Sequence, residues 1–359
     1  MLRERNEQID MLEILLPFQI ADLSPELQAV SDFLDDHPHI LSEFTAAMIK
    51  RSANSKTRGR PTESAEAVFR MLLLRRMQSL TFRQTHDMVT DSLALRQFTR
   101  IYYEAVPTYS TLCKYDSLLS DDVLKKINRH IVQGAKDLKI TRGAKMRVDS
   151  TVVEAARVHR QLQQFLPLVE KVIDQATRRV LQDEQLPSDE KILSLFQPDA
   201  YVIRKGKRAK PTEFGKLVEI QQVDGKIISD WEIHDSNVSD ADRFIPAVEQ
   251  HIQTFGKPPN LAAGDRGYSS KVNESRAAEL GVKRVCLPKK GKKSKERAAY
   301  EKQRWFKSGH RFRAGIEGTI SVLKRRHGFD RCRNHGDNAY DRWVGLGIIA
   351  YNLKTIAAS

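Results

Sequence analysis

Three acidic residues stand where an acid is costly or conspicuous. Asp149 interrupts Met146-Arg147-Val148-Asp149-Ser150-Thr151-Val152-Val153, a run whose β-branched residues otherwise read as a strand. Asp265 follows the apolar run Asn260-Leu261-Ala262-Ala263 and lies within Gly264-Asp265-Arg266-Gly267-Tyr268. Glu317 belongs to a helical stretch from His310 to Lys324. An acid inside an apolar strand is expensive without a partner. Carboxylates gathered in one place also raise one another's pKa values. Divalent cations resolve that conflict. Two Mg²⁺ ions about 3.5–4 Å apart can activate a water or a 3′-hydroxyl and stabilise the leaving oxygen of a phosphodiester. Asp149, Asp265 and Glu317 are therefore the expected catalytic residues and metal ligands, with Mn²⁺ the expected substitute metal.

At 100° per residue, His310, Arg313, Glu317 and Lys324 fall within an arc of about 60° on one helix face. Arg313, a planar fork, and Lys324, a point charge, suit phosphates beside a scissile bond. Ile316, Ile320 and Leu323 form the adjoining apolar stripe, expected to pack on a sheet. Gly315 and Gly318 each cost about 1 kcal/mol relative to alanine inside a helix, which predicts a close approach to another backbone or a ligand. The plainer alternative is a surface helix with an Arg313–Glu317 pair worth under about 0.5 kcal/mol. It leaves both glycines unexplained.

Charge points the same way. The 359 residues carry a formal net charge of +14, and the window Lys283–Arg333 alone, with eighteen basic and four acidic residues, accounts for all of it. Charge concentrated in this way implies a polyanionic partner. Lys289, Lys290, Lys292 and Lys293, together with Arg266, His310, Arg313, Lys324, Arg325 and Arg326, are the expected DNA- and phosphate-binding residues. A solvated basic face is the competing reading, and an anionic membrane surface fits less well for want of a long amphipathic helix. No stretch approaches the roughly 18 consecutive apolar residues of a membrane span, and Met11–Ile20 does not read as a signal peptide. Cys113, Cys286 and Cys332 form neither a disulfide framework nor a zinc pattern, which fits a reducing cytoplasm. His37-Pro38-His39 and Cys332-Arg333-Asn334-His335 are too small to be metal sites on their own.

The elements that must position these groups follow from the patterning. Residues 1–50 hold three basic and ten acidic side chains; Ser24-Pro25-Glu26-Leu27 opens a helix ending near Asp36, and Lys50–Pro61 reads as a linker. From Thr62 to about Asp137 the chain reads as short helices. An apolar stripe runs from Val68 through Met71, Leu72 and Leu74 to Met77. Thr81-Phe82-Arg83-Gln84 makes a capping box, and further helices follow Pro107-Thr108-Tyr109 and Ser120. With Arg70, Arg75, Arg76, Arg83, Arg96 and Arg100 on them, these helices suit a helix-turn-helix-like DNA binder, although a helical bundle without nucleic acid reads similarly. After Gly143 come the first strand, helix over 155–197, and a hairpin of 216–220 and 227–233 turning at Asp224-Gly225. A helix over 240–253, the strand before Asp265, a helix over 271–280, a strand over 282–287, a lysine-rich loop and terminal helices complete the order. That order predicts an α/β architecture around a mixed sheet.

Val148-Asp149-Ser150-Thr151, Gly264-Asp265-Arg266-Gly267-Tyr268 and the Arg313-x3-Glu317-x6-Lys324 helix, spaced by 116 and 52 residues, resemble the acidic motifs of bacterial insertion-sequence DDE transposases. The third is similar to that family's Tyr-x2-Arg-x3-Glu-x6-Lys signature, with His310 at the tyrosine position. Lys210–Lys216, His234-Asp235-Ser236-Asn237, Gly59-Arg60-Pro61 and Val106–Leu112 are also similar to stretches of such enzymes. The resemblance implies an RNase H-like catalytic domain, two Mg²⁺ ions, and cleavage at element ends followed by strand transfer into target DNA. The implied partners are double-stranded DNA, as terminal inverted repeats and target, and a second copy of the chain in a homodimeric complex. The implied location is the bacterial cytoplasm, at the nucleoid. On this reading residues 1–58 are an acidic helical segment and linker, and 59–142 a DNA-binding region. Residues 143–335 are the catalytic domain, with a helical insertion at about 155–200, and 336–359 a helix packing on it. Two rivals stay open: a metal-dependent nuclease without strand transfer, and an inactive transposase-derived DNA-binding regulator.

Overall fold

Strand β1 (Lys145–Glu154) is the spine of the fold. On one side it pairs antiparallel with β3 (Thr212–Val223), from Met146 opposite Val223 to Glu154 opposite Gly215. On the other it runs parallel to β5 (Leu261–Ala263), with Arg147 opposite Ala263, and β5 runs parallel to β6 (Arg284–Cys286). The second edge of β3 carries β4 (Ile228–His234) and β2 (Tyr201–Arg204), both antiparallel. Together these six strands form one mixed sheet, the α/β, RNase H-like arrangement that the sequence predicts. The hairpin turn is as expected: Gly225 takes a φ of 75°, and Val223 N–H donates to Ile227 O at 2.9 Å.

This computed structural model describes residues 23–49, 64–102, 104–154, 162–182, 184, 201–204, 212–234, 239–334 and 338–359. The expected features at Met11–Ile20, Lys50–Pro61, 155–161, 185–200, Lys210-Pro211, Asp235-Ser236-Asn237 and His335 lie outside them.

Seven helices precede the sheet among the described residues: α1 (Pro25–Asp36), α2 (Pro38–Ile49), α3 (Ala65–Met77), α4 (Phe82–Asp91), α5 (Leu93–Thr99), α6 (Tyr109–Asp116) and α7 (Asp121–Asp137). Ser24 caps α1 with Pro25 at its first position, the Thr81–Gln84 capping box opens α4, and Thr108 caps α6. Later come α8 (Leu162–Leu181) in the insertion, α9 (Asp240–Phe255), α10 (Lys271–Glu279), α11 (Lys295–Lys302), α12 (Arg304–His327) and α13 (Ala339–Ala357).

Side chains alternate across a strand, so β1 offers Met146 and Val148 to one face and Arg147 and Asp149 to the other. The first face is apolar: Met146, Val148, Phe244, Val248, Ala262, Tyr268 and Val285 cluster beneath α9. The second receives α12, which packs on β1 and β5. Helix α13 is apolar nearly all round, and it is buried between α1, α3 and α7 on one side and α12 and β4 on the other. A pair of asparagines closes the edge of β4. Asn352 Oδ1 accepts from Ile228 N–H at 2.9 Å, its Nδ2 donates to Asn128 Oδ1 and Ile228 O at 2.8 Å, and Asn128 donates to Ile228 O and Ser229 O.

The amino-terminal helices correct one expectation. Helix α3 has no solvent face: every residue from Ala65 to Met77 is buried, arginines included. Arg70 Nε donates to Glu66, Nη1 to Ser31 and Phe98 O, and Nη2 to Asp35 at 2.7 Å. Arg75 stacks 3.7 Å from the Phe82 ring centroid, and Arg76 3.7 Å from that of Trp343. Arg96 donates to Tyr102 O and Arg100 to Asp35. Of the six arginines expected to face DNA, five are thus tied to the protein itself, and Arg83 stacks on Tyr109. Arginine in a helical pattern suggests a surface; the tertiary packing turns Arg70, Arg75 and Arg76 inward.

Candidate active site

The register of the sheet brings the first two acids together. Arg147 lies opposite Ala263, and two residues further along each parallel strand come Asp149 and Asp265. Helix α12 crosses this end of the sheet, held by Arg147, whose Nε donates to Gln222 Oε1 at 2.8 Å and whose Nη1 donates to Phe312 O. Its guanidinium lies against the helix at Gly315, where a Cβ would collide with Arg147 Nη1. The close approach predicted from Gly315 is therefore met by a side chain. Gly318 departs from the expectation: a Cβ there would meet nothing within 4 Å.

So placed, α12 aims Arg313 at all three acids. Its Nη1 is 3.7 Å from Asp149 Oδ2 and 3.9 Å from Asp265 Oδ1, and its Nη2 is 3.2 Å from Glu317 Oε1. The acids differ in exposure, 18% for the Asp149 side chain against 51% for Asp265 and 64% for Glu317. Burial pushes the Asp149 carboxyl up to about 6; Ser150 N–H and Arg313 oppose the shift, and Asp265 and Glu317 add to it. Burial is the larger cause, and the contributions of Asp265 and Glu317 are the repulsion anticipated for a carboxylate cluster.

The donor set consists of hard carboxylate oxygens, the class that Mg²⁺ and Mn²⁺ prefer. Among the described residues no three His, Cys, Asp or Glu side chains stand closely enough to form a ready-made metal cage. The acids instead converge on the Arg313 guanidinium. In kind, the residues fit a divalent metal.

The remaining expected residues distribute around this point. His310 is exposed on α12, and Lys324 lies about 20° from Glu317 around the helix. Arg325 is turned by about 80° and donates to Ser321 O. Arg326 is turned by about 180° and lines a cavity of about 870 Å³ with Lys226, Tyr351 and Lys354, away from the acids. Arg266 is exposed beside Asp265. Lys289, Lys290, Lys292 and Lys293 occupy the loop leaving β6, at the same end of the parallel strands as Asp265, and Lys293 pairs with Glu301. That loop is anchored by Arg297, which donates to both Glu274 oxygens at 2.9 and 2.6 Å and to Leu287 O at 2.6 Å.

Sequence reasoning missed a second buried set behind Asp265. Tyr268 donates to Glu219 Oε2 at 3.1 Å, and Arg243 stands 3.2 Å from the same oxygen while also pairing with Asp240. Burial pushes Glu219 up to about 7, against the pull of Arg243 and Tyr268. The set pins the turn after Asp265 to β3 and α9. The signal was present: an acid between Val218 and Ile220, and an arginine on the apolar face of α9 beside Phe244 and Ala247.

No helix among the described residues is long and apolar enough to cross a membrane. Residues 19–118 match a family described as a transposase domain, and residues 274–357 match one described as a transposase DDE domain; together the matches span just over half of the chain. The second contains Arg313, Glu317 and Lys324. No curated protein and no solved structure matches.

Proposed function

Because this chain belongs to the insertion-sequence DDE transposases, we propose that it cleaves DNA at element ends and joins the freed 3′-hydroxyl to target DNA, with Asp149, Asp265 and Glu317 at the reacting phosphodiester. The convergence of these acids, from β1, the end of β5 and α12, on one guanidinium supports the reading. They would hold two Mg²⁺ ions, or Mn²⁺ in their place. Such ions supply activation of a water or 3′-hydroxyl and stabilisation of the leaving oxygen.

The chain's own residues do the rest. Arg147 fixes the height of α12 over the sheet, so that Glu317 faces the strand acids. Arg313 and Lys324 hold phosphates flanking the scissile bond, and His310, Arg325 and Arg266 follow the same backbone. Lys289, Lys290, Lys292 and Lys293 draw in the DNA by non-specific attraction. Residues 59–142 contribute to end recognition, and two copies act together on paired ends. Arg326, on the opposite side of α12, has no place in this contact.

Incubation of purified protein with labelled element-end DNA and Mg²⁺, followed by mapping of nicks and joined products, tests the reading. Asp149→Asn or Glu317→Gln is expected to abolish Mg²⁺-dependent cleavage while DNA binding persists. Unchanged cleavage in either variant overturns the assignment. Nicks without joined products reduce it to a nuclease.

A further inference from the structure

Arg313 is held more loosely than Arg70 or Arg297. Arg70 directs Nε, Nη1 and Nη2 to acceptors at 2.7–3.3 Å, and Arg297 grips Glu274 with two bonds of 2.6 and 2.9 Å. By contrast, Arg313 reaches two of its three acids only at 3.7 and 3.9 Å, and its buried Nε has no hydrogen-bond partner. Those distances are ion-pair contacts, beyond hydrogen-bond length. The guanidinium sits where the electrostatics want a cation, yet few directional bonds oppose its removal.

We propose that Arg313 is a built-in counter-ion, occupying the carboxylate focus in the metal-free protein and displaced from it when a divalent cation binds. The inference rests on the three-acid reading above and deepens it. Without the guanidinium, three carboxylates converging at this end of the sheet would repel one another. With it, the acids stay assembled, and a divalent cation must compete for them, so its apparent affinity is lower than the acids alone would give. Once displaced, the guanidinium is free to turn to a phosphate, its role in the proposed reaction. Metal entry and phosphate contact are then linked through a single side chain.

The test is equilibrium binding of Mn²⁺, followed by the electron paramagnetic resonance of the free ion, together with thermal unfolding in chelator and in Mn²⁺. Arg313→Gln should bind Mn²⁺ about tenfold more tightly than the parent protein. It should also melt at a lower temperature in chelator and gain more from added Mn²⁺ than the parent does. Arg313→Lys keeps one charge but cannot span three acids, so its affinity should fall between the two. Mn²⁺ affinity in Arg313→Gln equal to or weaker than that of the parent overturns the proposal. If Arg313→Gln folds only when Mn²⁺ is present, the proposal is supported. If it folds in neither condition, Arg313→Lys decides, tighter binding supporting the counter-ion role and equal or weaker binding overturning it. Asp149→Asn separates the two readings: it should weaken Mn²⁺ binding at least tenfold. Parent-like binding in Asp149→Asn sinks the three-acid reading, whereas weakened binding there with no gain in Arg313→Gln sinks the counter-ion alone.

Discussion

Helix α3 and helix α12 both carry arginines among apolar residues, and the fold uses them in opposite ways. On α3, Arg70 is 1% exposed, and it joins α1, α3 and the end of α5 through Asp35, Ser31, Glu66 and Phe98 O. On α12, Arg313 lies at the mouth of the sheet, next to the largely buried Asp149 and to Asp265 and Glu317, which are half-exposed or more. Both are cations beside carboxylates. What separates Arg70 from Arg313 is the supply of acceptors: Arg70 has one for each nitrogen and is a fixture of the core, whereas Arg313, loosely held at the rim of the sheet, remains available to a ligand. Net charge in a sequence therefore overstates the surface offered to DNA, and in this chain it does so mainly in the amino-terminal third.

The contrast breaks most sharply at Arg70. Replacing it with Met takes away the guanidinium partner of the buried Glu66 and leaves Asp35 with Arg100, at a cost of about 3 kcal/mol. Calorimetry should show the unfolding midpoint falling by roughly 10 °C, with the DNA affinity of the folded protein unchanged. A stable Arg70→Met variant that loses DNA binding would reverse the assignment of the two helices. The lysine loop should behave in the opposite manner. Converting Lys289, Lys290, Lys292 and Lys293 to Gln should leave stability within about 0.5 kcal/mol and flatten the dependence of log affinity on log salt. The slope should change by about 3 rather than 4, since Lys293 already pairs with Glu301. Salt titrations of binding by fluorescence anisotropy measure it; an unaltered slope means the loop is solvated and touches no phosphate.

Much of the site was legible because acids in apolar strands are rare and costly. Asp149 and Asp265 announced themselves by that cost, and the 3.6-residue period put Arg313, Glu317 and Lys324 on one face. Strand β2 went unread: Tyr201–Arg204 is four residues long, and it pairs only with the start of β3, too short a run for an alternating pattern. The burial of α3 on all sides was equally hidden, because arginine normally marks a solvent face, and only the arrival of α13 and α1 from opposite ends of the chain supplies the acceptors. The Glu219–Arg243–Tyr268 set combines residues from three separated segments; each carried a local hint, but their union is a property of the sheet.

The smallest effect separates the two glycines of α12, which the sequence treats as equivalent. Alanine is favoured over glycine by about 1 kcal/mol in a helix interior, so the default expectation for both is stabilisation. At 318 nothing opposes it, since a Cβ would meet open space. At 315 the new methyl would drive into the Arg147 guanidinium, which is 6% exposed and already engaged with Gln222 and Phe312 O. Gly318→Ala should therefore raise the unfolding midpoint by about 2–4 °C, and Gly315→Ala should lower it. Because Arg147 sets the seating of α12 over Asp149, Gly315→Ala should also slow cleavage, while Gly318→Ala leaves it unchanged. Equal behaviour of the two variants in melting and in cleavage would mean that Arg147 yields freely, and that the helix is positioned by its apolar stripe of Ile316 and Leu323 instead.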